Sequence, residues 1–224
     1  MKSLGIIPAR GGSKGISWKN ITELNGKPLI VSTIEAAQKS NMNRVIVSTD
    51  AERIAEVARD YKAEVMMRPP ELALDSTPIL PVIQHVVENI EEDFDFIILL
   101  QPTSPFRTVE HINEALVLFE NQPSADTLVS VVEVPHNMVP SSLMELDQGF
   151  LKLHIEQDVM VLRRQNKPKF YARNGPAILI INMKTLQTGE LYNGKTIPYL
   201  MDNISSVDID DEKDIILAKR LLKL

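Results

Sequence analysis

Cysteine is missing altogether from the 224 residues, which excludes disulfides and thiolate metal sites. No apolar run approaches the roughly 20 residues needed to cross a bilayer, so no membrane span and no membrane partner are expected. The opening "MKSLGIIPAR" meets Pro8 and Arg10 before a signal-peptide core can form. A cytoplasmic protein is the expectation. Cationic excess is lacking too: 24 Lys and Arg face 30 Asp and Glu, a formal net charge of -6. The chain as a whole therefore has no electrostatic reason to seek nucleic acid. The histidines His85, His111, His136 and His154 show no metal-ligand spacing and read as structural.

What remains is 44% hydrophobic and 24% charged, an ordinary composition for one domain over residues 1–224. Short β-rich runs alternate with amphipathic stretches, which is the α/β pattern. Expected strands are Leu4 to Ala9, Arg44 to Ser48, Glu64 to Met67, Phe96 to Leu100, Leu128 to Val134, Ala177 to Ile181 and Ser206 to Ile209. Runs such as "FIILL" and "AILII" suit strands buried on both faces of a parallel sheet. Ile79, Val82, Ile83, Val86, Val87 and Ile90 repeat at helical spacing, with Thr77 and Pro78 expected as N-cap and first helical residue. The closing "DEKDIILAKRLLKL" predicts a helix, acidic first and basic last. Residues 135–170 break the rhythm and read as an insertion. Its Met138, Val139, Leu143, Met144, Phe150, Leu151 and Leu153 offer apolar surface that a dimer contact would hide; a plain surface hairpin is the other reading.

Open α/β sheets bind ligands beyond the C-terminal ends of their strands, and polar segments follow several of the expected strands. In "ARGGSKG" the glycines Gly11 and Gly12 let backbone N–H groups approach phosphate oxygens, while Arg10, Lys14 and Lys19 supply the countercharge. The spacing is neither a P-loop nor a dinucleotide fingerprint, so a phosphate cradle and a simple turn both stay open. Ser48, Thr49 and Asp50 read as a helix start. Asp208 and Asp210, two apart on an expected strand, would point to one face and suit magnesium shared with phosphate oxygens. The competing reading makes Asp210 or Asp211 the cap of the last helix. Gln101, Thr103 and Ser104 lie in a loop stiffened by Pro102 and Pro105, suited to a polar ligand. Tyr171, Arg173 and Asn174 precede Gly175, and arginines here, with Arg163 and Arg164, suit a carboxylate.

Taken in order, "IIPARGGSKGISWKN", "NGKPLI", "VIVSTD", "RPPELALD", "LLQPTSPFR", "RRQ", "NGPA" and "VDIDDEKD" resemble the acylneuraminate cytidylyltransferases, the CMP-sialic acid synthetases, over nearly the whole chain. The resemblance implies a nucleotide-diphospho-sugar transferase-like, Rossmann-like α/β fold: a mostly parallel sheet flanked by helices, with a protruding insertion that forms a homodimer. It implies transfer of CMP from CTP to a nonulosonic sugar acid, with Mg2+ as cofactor and release of pyrophosphate. By resemblance, Arg10, Gly11, Gly12, Ser13, Lys14, Lys19 and Asn20 hold the nucleotide, Asp208 and Asp210 the metal, and Gln101, Thr103, Ser104, Tyr171, Asn174, Arg163 and Arg164 the sugar. Catalysis falls to Arg10, Lys19, Asp208 and Asp210. The segment from Arg68 to Thr77 frames the base, with Arg68 and Ser76 among its contacts. Pro176 after Gly175, and "RRQN" where "RRQD" is commoner, depart from the family pattern at the sugar end. Activation of another 2-keto acid sugar of the Kdo, legionaminate or pseudaminate type is the alternative, as is a non-catalytic nucleotide-sugar-binding protein. A dehydrogenase is disfavoured, because its ribose-recognition fingerprint is missing.

Overall fold

The computed structural model describes residues 1–155, 168–192 and 194–223. In chain order the strands are β1 (Ser3–Pro8), β2 (Glu23–Leu24), β3 (Lys27–Pro28), β4 (Arg44–Thr49), β5 (Glu64–Met67) and β6 (Phe96–Leu99). There follow β7 (Thr127–Glu133), β8 (Met144–Asp147), β9 (Phe150–Leu153), β10 (Tyr171–Arg173), β11 (Leu179–Asn182) and β12 (Thr196–Met201). The helices are α1 (Leu29–Lys39), α2 (Glu52–Asp60), α3 (Ile79–Glu88), α4 (Val109–Glu120), α5 (Met183–Gln187) and α6 (Glu212–Leu221).

An eight-stranded sheet in the order β10-β7-β11-β6-β1-β4-β5, with β12 also paired to β7, forms the centre. It is parallel from β5 through β4 and β1 to β6, and turns antiparallel where β11 enters. Alternation along the strands sorts the core into two layers. Ile7, Val47, Ile98 and Ile180 meet α1, α2 and α4 through residues such as Ile34, Ile54 and Ile112. Their neighbours Ile6, Ile46, Ile97 and Ile181 face Ile83 and Val86 of α3 and Leu186 of α5. Both faces are covered, which is why these strands read as unbroken apolar runs.

The antiparallel half supplies a device absent from a simple βα rhythm. β10 and β11 run consecutively along one edge of β7, with Arg173 opposite Val131 and Leu179 opposite Val129. Five residues of the "NGPA" region thus stand between pairs that are only two apart on β7. They form an outsized bulge, a common way to push backbone toward a site. Ser130 fastens it: its N–H donates to the Ile178 carbonyl and its hydroxyl accepts from the Ile178 N–H.

Two expectations change. Residues 206–209 are not a strand: the Ser206 and Val207 N–H groups close turns onto Asp202 and Ile204, and the Ile209 N–H donates to the Thr103 carbonyl at 2.8 Å. The segment is pinned to the 101–104 loop instead of the sheet. The sheet takes Thr196–Met201 there, and Pro198 is tolerated because, among the described residues, β12 pairs with β7 alone. Thr77 is not the cap of α3, since Pro78 occupies that position and the Thr77 hydroxyl donates to the Glu71 carbonyl.

Candidate active site

Beyond the C-terminal ends of β1, β5 and β6 lies a cavity of about 300 Å³, lined among others by Arg10, Gly12, Ser13, Lys19, Arg68 and Gln101. Asp50, which follows β4, accepts the Gly11 N–H at 3.0 Å and faces the Arg68 guanidinium at 3.9 Å. It therefore orients both the glycine loop and a buried cation, and it does not cap α2, whose cap position is Ala51. Burial pulls the Arg68 guanidinium below the usual arginine range; the Asp50 carboxylate opposes this and Arg10 adds to it. Its Nε is buried without a hydrogen-bond partner, a donor left for something else. Asn20 is buried, and its side-chain amide donates to the Arg10 carbonyl, fixing the loop's far end.

Asp75 closes the cradle from the other side. Arg10 pairs with it at 2.8 Å and Lys14 at 3.6 Å, so one carboxylate holds the cations that the sequence directs at phosphate. Lys14 and Ser76 do not line the cavity, whereas Leu74, Asp75 and Thr77 do. Ser76 is exposed, and Thr77 takes the lining position.

The carboxylate end forms where the last segment folds back. The helix-cap question is settled by Asp211, whose side chain accepts from the Lys213 and Asp214 N–H groups in a reciprocal capping box with Asp214. Asp208 and Asp210 are therefore not consumed by capping, though they sit on an irregular segment instead of a strand face. Asp210 is exposed and pairs with the Lys19 ammonium at 3.1 Å, which also donates to the Ile209 carbonyl at 2.8 Å. Gly15 permits this approach, because a Cβ there would collide with the Asp210 carbonyl oxygen. Asp208 is half-buried, and its Oδ1 has no hydrogen-bond partner. Burial pushes its carboxyl above the usual carboxylate range; a Thr103 hydrogen bond and Lys19 oppose the shift, while Asp210 adds to it. Gly175, at φ +114°, lies so close that a Cβ would stand 3.3 Å from the Asp208 carboxyl group.

That orphaned oxygen beside a second carboxylate fits a divalent cation. Among the described residues no group of three or more His, Cys, Asp or Glu is placed to hold a metal. Two carboxylates with the remaining positions left to phosphate and water are what magnesium accepts.

A second cavity, of about 640 Å³, adjoins the first and shares Ile79 and Gln101 with it; Arg173, Gly175, Pro176, Leu191 and Tyr192 are among its other walls. Of the residues expected around the sugar, Gln101 borders both cavities and Thr103 the first. The buried Asn174 amide accepts from the Ser130 hydroxyl at 2.6 Å and donates to the Ser206 hydroxyl at 2.9 Å. It ties the bulge to the Asp208 segment and lines neither cavity. Ser104 is 1% exposed beneath the loop. Tyr171, half exposed on β10, also lies off both linings. Arg163 and Arg164 fall outside the described residues.

Arg107 was not singled out from sequence, yet it builds the floor. Fully buried, it donates to the Gln101 and Ala177 carbonyls and to the Thr33 hydroxyl, joining the 101–104 loop to the bulge. Desolvation pulls its pKa down to about 9, with the Asp208 charge opposing, so it remains a cation at neutral pH beneath the carboxylates.

A family model described as "Cytidylyltransferase" matches residues 4–221. An N-acylneuraminate cytidylyltransferase of Escherichia coli is 37% identical over 97% of this chain, which spans 51% of that protein's length. A CMP-N,N'-diacetyllegionaminic acid synthase of Legionella pneumophila is 36% identical over 100% of this chain and 97% of its own. Thus the chain spans about half the length of the first relative and nearly all of the second. Among solved structures, a CMP:2-keto-3-deoxy-manno-octonic acid synthetase complexed with CTP superposes with a TM-score of 0.76 at 16% identity, covering 100% of this chain and 99% of that one, a likeness of fold. The motifs around the two cavities and a match over nearly the whole length lead to one assignment: the chain belongs to the cytidylyltransferase family.

Proposed function

We propose that the protein transfers CMP from CTP to a nonulosonic, 2-keto sugar acid and releases pyrophosphate. The observation that carries this reading is the pair of adjoining cavities meeting at Gln101, one ringed by phosphate-directed cations and the other outside it, with Asp208 and Asp210 close by. The relatives' names, an acylneuraminate and a diacetyllegionaminate enzyme, support this class of sugar.

On this reading Arg10, Lys14 and the loop N–H groups bind the triphosphate, displacing Asp75 from the cations it holds in the free protein. Lys19 sits between the cradle and the carboxylates, where it stabilises charge developing on the α-phosphate. Gln101 orients the sugar acid so that its anomeric hydroxyl attacks in line. Asp208 and Asp210 would hold magnesium, which when bound supplies positive charge that polarises the phosphate and lowers the pKa of the hydroxyl. The setting is the cytoplasm, where CTP is available.

Pyrophosphate release with all four nucleoside triphosphates and a panel of sugar acids is the test. A site that hydrogen-bonds the exocyclic amine of cytosine leaves an acceptor unpaired when uracil enters, costing about 1–3 kcal/mol. CTP should therefore exceed UTP in kcat/KM by about tenfold to a hundredfold, with purines worse. Equal use of ATP and CTP would remove the reading.

The homodimer belongs to the same proposal. The β8–β9 hairpin forms its own two-stranded sheet, and Leu146 (76% exposed) lies directly opposite Leu151 (64%) on one face. Phe150 is on the opposite face with the Lys152–Asp147 pair. A hollow of about 1030 Å³ between β12 and residues 134–139 carries none of the phosphate-directed cations, and Leu200 on its wall is 55% exposed. Leu146→Asp with Leu151→Asp should convert a dimer to monomers in sedimentation; a monomeric wild type or an unchanged double variant refutes the contact.

A further inference from the structure

The cations around the two cavities are nearly all committed. Arg10 and Lys14 share Asp75, Lys19 has Asp210, Arg68 faces Asp50, and Arg107 is sealed beneath the loop. Arg173 is the exception. It projects from the end of β10 into the wall of the second cavity, where its guanidinium lies over the Tyr192 ring at 4.7 Å from the centroid. Among the described residues no carboxylate pairs with it. A guanidinium resting on an aromatic face keeps its N–H edge free and aimed, which suits two parallel hydrogen bonds to a planar anion. The other walls are mostly apolar, from Ile79, Leu99, Leu179 and Leu191. Arg173 is exposed at the cavity wall, so its guanidinium is open to an incoming anion.

The triphosphate's charge is met in the first cavity. Under the transfer reading, on which this step rests, the second substrate brings one further charge that takes no part in bond making, its carboxylate. We propose that Arg173, braced by Tyr192, clamps the carboxylate of the acceptor sugar acid and so restricts the enzyme to acids over the corresponding neutral sugars. The bulge explains how the side chain is placed: Asn174 anchors the strand end immediately after Arg173, while Gly175 passes against Asp208. The strand end that carries the guanidinium and the separate segment that carries Asp208 are thereby tied to each other.

The experiment takes the full-length protein, the sugar acid that wild type turns over fastest, and the primary amide of that acid as a competitive inhibitor. Arg173→Met should raise KM for the acid about tenfold to a hundredfold, the loss expected for a charge-assisted hydrogen-bonding partner. KM for CTP and the thermal shift produced by CTP should not move, because the nucleotide cavity is separate. Arg173→Lys, keeping the charge but losing the fork, should fall between. The diagnostic is the preference for acid over amide, which Arg173→Met should abolish, and which a merely structural loss would leave intact. An unchanged KM, or an unchanged acid-to-amide preference, overturns the clamp while leaving CMP transfer standing. A wild type that binds CTP but turns over no sugar acid overturns the transfer reading itself, and the clamp with it.

Discussion

Asp210→Asn should lower kcat by about a hundredfold to a thousandfold, the scale seen when one preorganised electrostatic partner is lost at a reacting centre. Among the described residues its exposed side chain is paired only with Lys19, and the cap of α6 is made by Asp211, so the thermal midpoint should hardly change. On the proposed magnesium reading, excess magnesium should recover part of the activity, since Asp208 remains. Magnesium should also raise the thermal midpoint of wild type more than that of the variant. Turnover close to wild type at saturating magnesium would remove Asp210 from the site, and a collapse of cooperative unfolding would return it to a structural role.

The sheet was legible because its strands are buried on both faces and cannot hide their apolar runs: "FIILL" and "AILII" declare themselves. β12 was not, because "TIPYLM" mixes a proline and exposed positions, as an edge strand permits. Conversely "SVDI" alternates like a strand, yet its backbone bonds go to a turn and to Thr103. The cationic loop and the Asp208–Asp210 pair were readable as charge out of keeping with an acidic chain. Their partners were less so. Asp50 at the end of a strand looks like a helix start, and Asp75 looks like a turn residue; only the fold shows each carboxylate facing arginine. Gly15 gave no pattern signal either, since its reason is contact with a backbone 195 positions away in sequence. Asn174, a polar residue beside a glycine, hydrogen-bonds Ser130 and Ser206, partners that only the fold shows.

Lys19→Met should be as damaging as the loss of Asp210, lowering kcat/KM by about a hundredfold to a thousandfold, but for a separable reason. Its side chain is 15% exposed, with the ammonium held by the Ile209 carbonyl and Asp210, at the junction of the phosphate cradle and the acidic segment. The ion pair holds two opposite charges side by side; on the transfer reading proposed above, Lys19 turns to phosphate and Asp210 to the cation. Removing the lysine takes away charge stabilisation that no metal concentration replaces, so excess magnesium should fail to recover Lys19→Met. Lys19→Arg should recover only part, because the planar fork cannot occupy the position of a compact ammonium. Since the two residues touch, their effects should not multiply: Lys19→Met with Asp210→Asn should lose less than the product of the single losses. Activity of Lys19→Met within about threefold of wild type would place the lysine outside the reacting centre. Full recovery by magnesium would show instead that it acts only by positioning Asp210.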